Sequence, residues 1–196
     1  MTPISLSPAV VWKGHYSGDL SELVKRASHK LKTGSQLNNR VERDGGISSS
    51  SDPDAPHYWE ESNDFLVWAG PMIEKVWAEW QLPKCDLSIS SSWVNLHPFN
   101  GWTDEHTHGS VPLVCVLYVE QPANGGNLEI FDPMFHIWSG SLRVELPWKE
   151  VEVQTGDVLM FPGWMLHKTQ KNNSNDDRIV MSINISPNPH TFHRTF

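Results

Sequence analysis

The sequence predicts a mainly β domain with supporting N-terminal helices, folded as a double-stranded β-helix or jelly roll. Two helical patterns precede residue 86, and short apolar or alternating runs fill the chain after it. Many short strands after two helices are typical of two facing sheets with helices on one outer face. We therefore expect one domain over residues 1–196, with helical support and a flexible loop in 1–85 and the jelly-roll core in 86–196.

Two helices are predicted in the first part of the chain. Apolar residues between 19 and 32 recur on one helical stripe, and Gly34 follows as a stop. A second helix is predicted from Asn63, because apolar and aromatic residues keep helical spacing until Pro83. Gly70-Pro71 would kink or split it. Aromatic residues at this spacing are typical of a helix packed on a sheet, so we assign them to the core.

A series of short strands is predicted in the later part of the chain. Each run is apolar or alternates apolar with polar residues, and Gly, Pro or Asn separates it from the next. The predicted strands span residues 87–97, 111–120, 127–131, 142–147, 151–154, 157–161 and 178–186.

Two segments lack a regular pattern. Residues 43–56 contain Gly-Gly, a run of serines and two prolines, which predicts a mobile loop, a tether more readily than an active-site lid. Residues 131–148 form a long connection expected to project over the barrel mouth. Its part from 134 to 148 is our candidate for a substrate-contacting surface, and a loop folded back over the core is the alternative. The side chains concerned are Phe135, His136, Trp138 and Arg143.

Composition narrows the class of protein. Fifteen Lys and Arg against twenty-three Asp and Glu give a formal charge of −8, and no basic cluster is present, so generic duplex nucleic-acid binding is not expected. No segment has the apolar length of a membrane span or the layout of a signal peptide. With only Cys85 and Cys115, a disulfide framework is not expected. We expect the cytoplasm, or the host cytoplasm for a viral protein, and the sequence leaves open whether the chain forms a homodimer.

The densest group of metal-binding residue types is the run from Asp104 to His108. It precedes a predicted buried strand, where alternation would turn His106 and His108 to the same side. Two imidazoles could then meet one ion. Alone, a His-x-His pair is equally compatible with two solvated or structurally hydrogen-bonded histidines.

A third candidate ligand is His167, which follows a turn, the predicted strand 157–161 and a second turn. Strands far apart in sequence lie side by side in a jelly roll, so His167 can face the His-x-His pair. Three histidines with open positions suit Fe, Zn or Cu rather than Mg or Ca. A histidine on a surface loop is the alternative for His167.

Eleven residues after His167, Arg178 opens a strand with one apolar and one polar face. The polar face carries Arg178, Ser182 and Asn184. A guanidinium inside the barrel would need an anion, and its planar fork suits the distal carboxylate of a dicarboxylate ligand, with Ser182 as a second donor. The alternative is a salt bridge to Asp176, Asp177 or another acidic side chain.

Taken in order, these motifs resemble the 2-oxoglutarate- and iron(II)-dependent oxygenases of the prolyl-hydroxylase-like superfamily, and most closely a little-characterised bacterial and phage-type branch. The resemblance covers residues 93–185. Its motifs are Trp93-Val-Asn95, His106-Thr-His108, Val116-Leu-Tyr118, residues 126–133, residues 156–162, His167 and residues 178–184.

The resemblance implies a dioxygenase that hydroxylates its substrate with O2 and 2-oxoglutarate and releases succinate and CO2. It places iron on His106, His108 and His167. It implies that Arg178 anchors 2-oxoglutarate, assisted by Ser182, Tyr118 or Asn95.

The sequence departs from the wider superfamily at two points. The first motif usually ends in Asp or Glu, where this chain has His108, so Asp104 or Glu105 is an alternative third ligand. A serine often lies two residues after the arginine, where this chain has Val180. Ser182 keeps the same strand parity and is the candidate replacement.

Two other functions compete with this one. A cupin-type metal enzyme also has His-x-His and a later His, but its motif requires a glutamate four or five residues after the pair, where Pro112 and Leu113 stand, and it leaves Arg178 without a role. In a metal-free jelly-roll binding module, the three histidines would line a cleft without binding a metal. The substrate remains open among a protein side chain, a small molecule and a nucleobase.

Overall fold

A computed structural model describes residues 10–34, 37–39, 44–135, 139 and 147–190. Within them lie helices α1 (Ser21–Thr33) and α2 (Asn63–Glu79) and two short 3-10 helices, Pro56–Tyr58 and Glu60–Ser62. The strands are β1 (Trp12–His15), β2 (Asn38–Asn39), β3 (Ile47–Ser48), β4 (Leu87–His97), β5 (Leu113–Glu120), β6 (Leu128–Phe131), β7 (Trp148–Val151), β8 (Asp157–Pro162), β9 (His167–Thr169) and β10 (Arg178–Pro187).

The strands form two antiparallel sheets. The major sheet has seven strands in the order β1-β8-β5-β10-β4-β3-β2, and the minor sheet has three in the order β7-β6-β9. Several neighbouring strands are distant in sequence, as in β10 between β4 and β5. The predicted double-stranded β-helix with N-terminal helical support is therefore confirmed.

Two apolar layers flank the major sheet. On one face, Phe65 and Ile73 of α2 and Leu23 of α1 pack with Met181 and Ile183 of β10. On the other face, between the two sheets, a second buried cluster joins the strands. Its members include Val114, Val116, Tyr118, Leu128, Ile130, Leu159, Phe161 and Val180. Both faces of β10 are consequently buried, which explains its near-continuous burial.

Strand register places the polar side chains of β10 and β4 in the space between the sheets. Arg178 lies opposite His97, Val180 opposite Asn95, and Ser182 opposite Trp93. Because side chains alternate along a strand, these residues share one face with Asn184. This row of polar groups is the wall on which the candidate site is built.

Several element boundaries differ from the sequence-based prediction. The strand predicted over 151–154 is β7 at Trp148–Val151, and α2 continues through Pro71 as one helix. Strand β1 was not predicted. The strand predicted over 142–147 lies outside the described residues except at its last position. Of the described helices, none combines the length and apolar character needed to cross a bilayer.

The segment predicted as a mobile loop over 43–56 is instead packed from residue 44 onward. Strand β3 pairs with β4, and the Ser49 hydroxyl accepts the Val94 N–H at 3.0 Å. Lys30 of α1 binds Asp52 at 2.7 Å and Asp54 at 3.2 Å. Backbone pairing and short polar side chains hold this segment, which is why the absence of an apolar pattern gave the wrong prediction.

Candidate metal centre

The structure brings the three predicted histidines together. His106 and His108 lie in the connection between β4 and β5, and His167 begins β9. The N–H of His106 donates to the carbonyl of His167, and the N–H of His167 to the carbonyl of His106, both at 3.0 Å. The His108 N–H donates to the Gly163 carbonyl at 2.7 Å. One ring nitrogen from each histidine lies within 4.8 Å of the others.

Each imidazole is oriented by an oxygen at its Nδ1 atom. The Nδ1 of His106 contacts the Asp104 carbonyl at 2.8 Å, and that of His167 contacts the Met165 carbonyl at 2.8 Å. The Nδ1 of His108 contacts Asn184 Oδ1 at 2.6 Å. A carbonyl oxygen only accepts, so each Nδ1 carries the hydrogen and each Nε2 keeps its lone pair. This is the tautomer in which histidine binds a metal through Nε2.

The environment of His108 and His167 favours their neutral form. Burial and the nearby imidazole of His106 lower the pKa of His167 to about 3, because a positive charge there would be desolvated and repelled. Burial likewise lowers the pKa of His108. Neutral imidazole is the metal-binding form. The carboxylates considered as alternative ligands, Asp104 and Glu105, are exposed, and within the described residues no carboxylate joins the cluster of three histidines.

A cavity of about 200 Å³ lies beside the histidines, between the two sheets. Its walls mix apolar and uncharged polar groups. They include Trp93, Asn95, Tyr118, Thr169, Val180 and Ser182. Trp93 stacks on His108 with ring centroids 5.5 Å apart and lines the cavity together with the three histidines.

Arg178 is fully buried behind the cavity wall, where it contacts the lining residues His97 and Thr169, and it has no acidic partner among the described residues. The predicted alternative of a salt bridge to Asp177 is wrong, because Asp177 pairs with Lys32 at 3.2 Å. Burial lowers the pKa of Arg178 to about 10, and the guanidinium remains charged at neutral pH. A buried cation held by neutral groups favours any anion that reaches it.

The guanidinium of Arg178 is held mainly by neutral acceptors. Its Nε donates to His97 Nδ1 at 3.3 Å, and its Nη2 donates to Thr169 Oγ1 at 2.8 Å. Its Nη1 donates to three backbone carbonyls, those of Gly125, Gly126 and Gln170. Because a guanidinium has five N–H groups, one N–H on Nη2 is left without a protein acceptor among the described residues. The bidentate fork expected from the sequence is therefore largely occupied.

Three polar side chains on the cavity wall have no hydrogen-bond partner within the described chain. They are the Tyr118 hydroxyl, the Asn95 amide and the Ser182 hydroxyl. Burial raises the pKa of Tyr118, so its hydroxyl stays protonated and able to donate. Unpaired buried polar groups are unfavourable unless a ligand or water satisfies them.

Sequence reasoning missed three residues of this site. Thr169 lies two residues after His167 and accepts from both Arg178 and the Thr103 N–H. His97 contacts Arg178, and Asn184 contacts His108. Alternation along the predicted strands puts Asn184 on the same face as Arg178, and His97 on the same face as Asn95. This alternation was the sequence signal that could have identified Asn184 and His97 as site residues. Most of the candidate substrate-contacting segment, residues 134–148, lies outside the described residues.

Comparison with known proteins identifies relatives of this fold. Residues 91–184 match the family model described as "Putative 2OG-Fe(II) oxygenase". No curated protein sequence matched the chain. A prolyl-4-hydroxylase from Pseudomonas putida is similar in structure with a TM-score of 0.61 at 15% identity, over 90% of this chain and 92% of that protein.

Two further solved structures share the fold. The α-ketoglutarate-dependent epimerase SnoN from nogalamycin biosynthesis has a TM-score of 0.64 at 14% identity, over 91% of this chain and 78% of its own. HygX from Streptomyces hygroscopicus, solved with nickel and 2-oxoglutarate bound, has a TM-score of 0.60 at 12% identity, over 91% and 83%. At these identities the structural likeness establishes the fold, and the family match covers the segment that carries the three histidines and Arg178.

Proposed function

Because the chain belongs to the 2-oxoglutarate- and iron(II)-dependent oxygenases, we propose that His106, His108 and His167 hold its iron(II) through their Nε2 atoms. The main support is the common state of the three rings, since the Nδ1 of each contacts an oxygen acceptor and the lone pair is therefore on Nε2. Their ring nitrogens lie close enough to share one ion. The residues present therefore fit the metal that the family uses.

The charge of the site fits a dianionic cosubstrate. Iron sites of this class usually have two histidines and one carboxylate, whereas three neutral imidazoles leave the full charge of the metal uncompensated. Arg178 adds a second positive charge nearby without an acidic partner in the described chain. A ligand with two carboxylates, one toward the metal and one toward Arg178, would balance both charges.

We assign the binding of 2-oxoglutarate to the part of the cavity lined by His97 and Thr169, the two lining residues that contact Arg178. The distal carboxylate would accept the remaining Nη2 N–H of Arg178. It would also accept the Thr169 hydroxyl, which already accepts two hydrogen bonds and has only its hydrogen left to give. Tyr118, Asn95 and Ser182 bring unpaired polar groups to the same wall and would assist. This arrangement replaces the bidentate arginine contact with a mixed contact from Arg178 and Thr169.

When bound, iron(II) and 2-oxoglutarate supply the oxidising power for hydroxylation by O2, with release of succinate and CO2. The protein orients the three imidazoles through oxygens at Nδ1, which fixes where the metal sits. Apolar walls from Val116, Leu128 and Val180 restrict water around the reacting centre. We propose that the substrate approaches from the side of Trp93, because Trp93 and Arg178 lie at different ends of the paired segment of β4 and β10.

We further propose that the protein acts in a reducing compartment such as the cytoplasm. Cys85 and Cys115 are both free thiols, and Cys115 is fully buried in β5. Free cysteines of this kind are usual where thiols are kept reduced.

The test is succinate formation from 2-oxoglutarate with iron(II) and O2 in the absence of a known substrate. Wild type should form succinate slowly, and His167→Ala and Arg178→Ala should each reduce the rate at least about 100-fold, because one loses a metal ligand and the other the carboxylate contact. His29→Ala, on the exposed side of α1, is the matched control and should match wild type. Full turnover in both variants would contradict the assignment. A protein that binds no iron would instead support the metal-free binding module.

A further inference from the structure

The three metal-site histidines are not oriented in the same way. His106 and His167 each contact the backbone carbonyl two residues earlier, Asp104 and Met165 respectively. The equivalent carbonyl for His108 is that of His106, and it already accepts the N–H of His167 at 3.0 Å. The ring of His108 does not use this local carbonyl, because its Nδ1 contacts a side chain instead.

A side chain from a distant strand takes the place of that local acceptor. Asn184 of β10, 76 residues further along the chain, places its Oδ1 at 2.6 Å from His108 Nδ1. Its Nδ2 donates to Ser91 Oγ at 3.0 Å. Because the amide nitrogen is engaged with Ser91, the amide oxygen is the atom turned toward His108.

The backbone at this position is irregular in a way that serves this contact. Asn184 pairs with Ser91, but the next residue, Ile185, pairs with Ile89, so Ser90 is an extra residue in β4. The Ser90 hydroxyl donates to the Asn184 carbonyl at 3.2 Å. A β-bulge re-aims the side chains next to it, and here it lies next to Asn184, the β10 residue whose side chain contacts His108.

We propose that Asn184 is a positioning residue of the metal centre: it fixes the tautomer and ring orientation of His108, and so sets the affinity of the site for its metal. The inference rests on the three-histidine site proposed above. Without the amide oxygen, the ring of His108 is free to turn along the face of Trp93, on which it stacks. The Nε2 lone pair would then no longer be fixed on the common point.

Cobalt(II) titration and proton NMR of the cobalt-loaded protein test this proposal without enzymatic turnover. A paramagnetic ion shifts the exchangeable N–H signal of each ligating imidazole, so wild type should show three shifted signals. Asn184→Leu keeps the side-chain size but removes the acceptor. It should weaken cobalt binding about 10–100-fold, the usual effect of losing such an outer contact, and should lose or displace one of the three signals.

Two other variants make the outcome specific. Asn184→Asp keeps an acceptor oxygen and should restore three signals and cobalt affinity near that of wild type. Asn173→Leu makes the same substitution at an exposed position and should change neither measurement. A merely structural role for Asn184 predicts a lower melting temperature with three unchanged signals.

Unchanged cobalt affinity and three undisplaced signals in Asn184→Leu would overturn the inference while leaving the three-histidine site intact. Absence of shifted imidazole signals in wild type would instead contradict the proposed metal site itself. If Asn184→Leu does not fold, Asn184→Ser, whose side chain is too short to reach His108, replaces it with the same expected loss.

Discussion

Arg178 brings a positive charge into the interior with only neutral partners in the described chain. Its guanidinium is fixed by His97, Thr169 and backbone carbonyls, and one N–H remains for a ligand. Burying a cation away from water is costly in free energy unless a negative charge compensates it. The residue thus contributes to stability through its hydrogen bonds and to function through the anion it attracts.

Replacing Tyr118 with phenylalanine separates binding from stability. The hydroxyl has no protein partner in the described structure, so Tyr118→Phe should leave the melting temperature within about 2 °C of wild type. A hydrogen bond to a charged group contributes about 1.5–3 kcal/mol, so the Kd for 2-oxoglutarate should rise about 10-fold or more. Calorimetric titration of the metal-loaded protein measures the Kd. An unchanged Kd would remove Tyr118 from the cosubstrate site.

At the scale of single residues, the sequence predicted which residues would form the site better than it predicted the hydrogen bonds between them. The order of the motifs and the expected jelly roll predicted that His106, His108 and His167 would lie together, and the structure brings these three rings together. The roles of Asn184 and Thr169 depend on register and hydrogen-bond geometry between strands that lie far apart in sequence, and residue spacing contains neither. The sequence alone therefore predicted Arg178 and the candidate metal ligands, but not the residues that orient them.

Strand β1 pairs with β8 at the edge of the major sheet, and the side chain of Asp157 adds polar contacts to this pairing. This carboxylate is buried at the start of β8 and binds Lys13 at 2.8 Å and His15 at 3.0 Å. Burial raises its pKa, but the hydrogen bonds from Lys13, His15 and the Gln154 N–H outweigh burial, so the pKa is lowered. The ionised carboxylate is consequently the form that joins the two strands.

Asp157→Asn should lower the free energy of unfolding at pH 7 by only about 1–2 kcal/mol, because its partners Lys13 and His15 are half exposed. A carboxyl with a lowered pKa in the folded state stabilises above its unfolded pKa, near 3.9, and loses that contribution as the pH falls through the lower folded value. The difference between variant and wild type should therefore shrink below about pH 4. Urea unfolding at pH 7 and pH 3 measures it, and an equal difference at both would exclude an ionic role.

Helix α2 is held to the sheet by its apolar face. Phe65 is 1% exposed and meets Tyr16 edge to face, whereas Val67, two residues along, is 77% exposed. Phe65→Ala should destabilise the protein by about 3–5 kcal/mol through cavity formation, and Val67→Ala should stay within about 0.5 kcal/mol. Denaturant unfolding gives both values. Similar losses in the two variants would mean that α2 does not pack as described.

Long periodic elements were predictable and short ones were not. Helix α2 and strand β4 followed directly from apolar spacing. Strand β1 has only four residues and one partly buried position, so its apolar alternation is too short to recognise. Strand β3 is held by backbone pairing to β4 and by serine hydroxyls, which leave no apolar pattern in the sequence.

On the scale of the whole molecule, the site joins both sheets. His167 comes from the minor sheet, Arg178 and Ser182 come from the major sheet, and His106 and His108 come from the connection between two strands of the major sheet. A ligand that bridges these elements binds only the folded chain. Metal and cosubstrate should therefore stabilise the entire domain and not one local segment.

Cobalt(II) with 2-oxoglutarate, each at about 100 times its Kd, should raise the melting temperature by at least about 5 °C, since each ligand adds roughly 2.7 kcal/mol at that ratio. His167→Ala should show little of this increase. Thermal unfolding with and without the ligands measures the shift. An equal increase in the variant would indicate that the ligands stabilise the protein from another site.

The most direct test of the whole account is a crystal structure of the protein grown without oxygen in the presence of nickel(II) and 2-oxoglutarate. The account predicts one metal ion bound to the Nε2 atoms of His106, His108 and His167, and a distal carboxylate bound to Nη2 of Arg178 and to the Thr169 hydroxyl. A metal bound through Asp104 or Glu105 in place of His108, or a carboxylate bound away from Arg178, would contradict it.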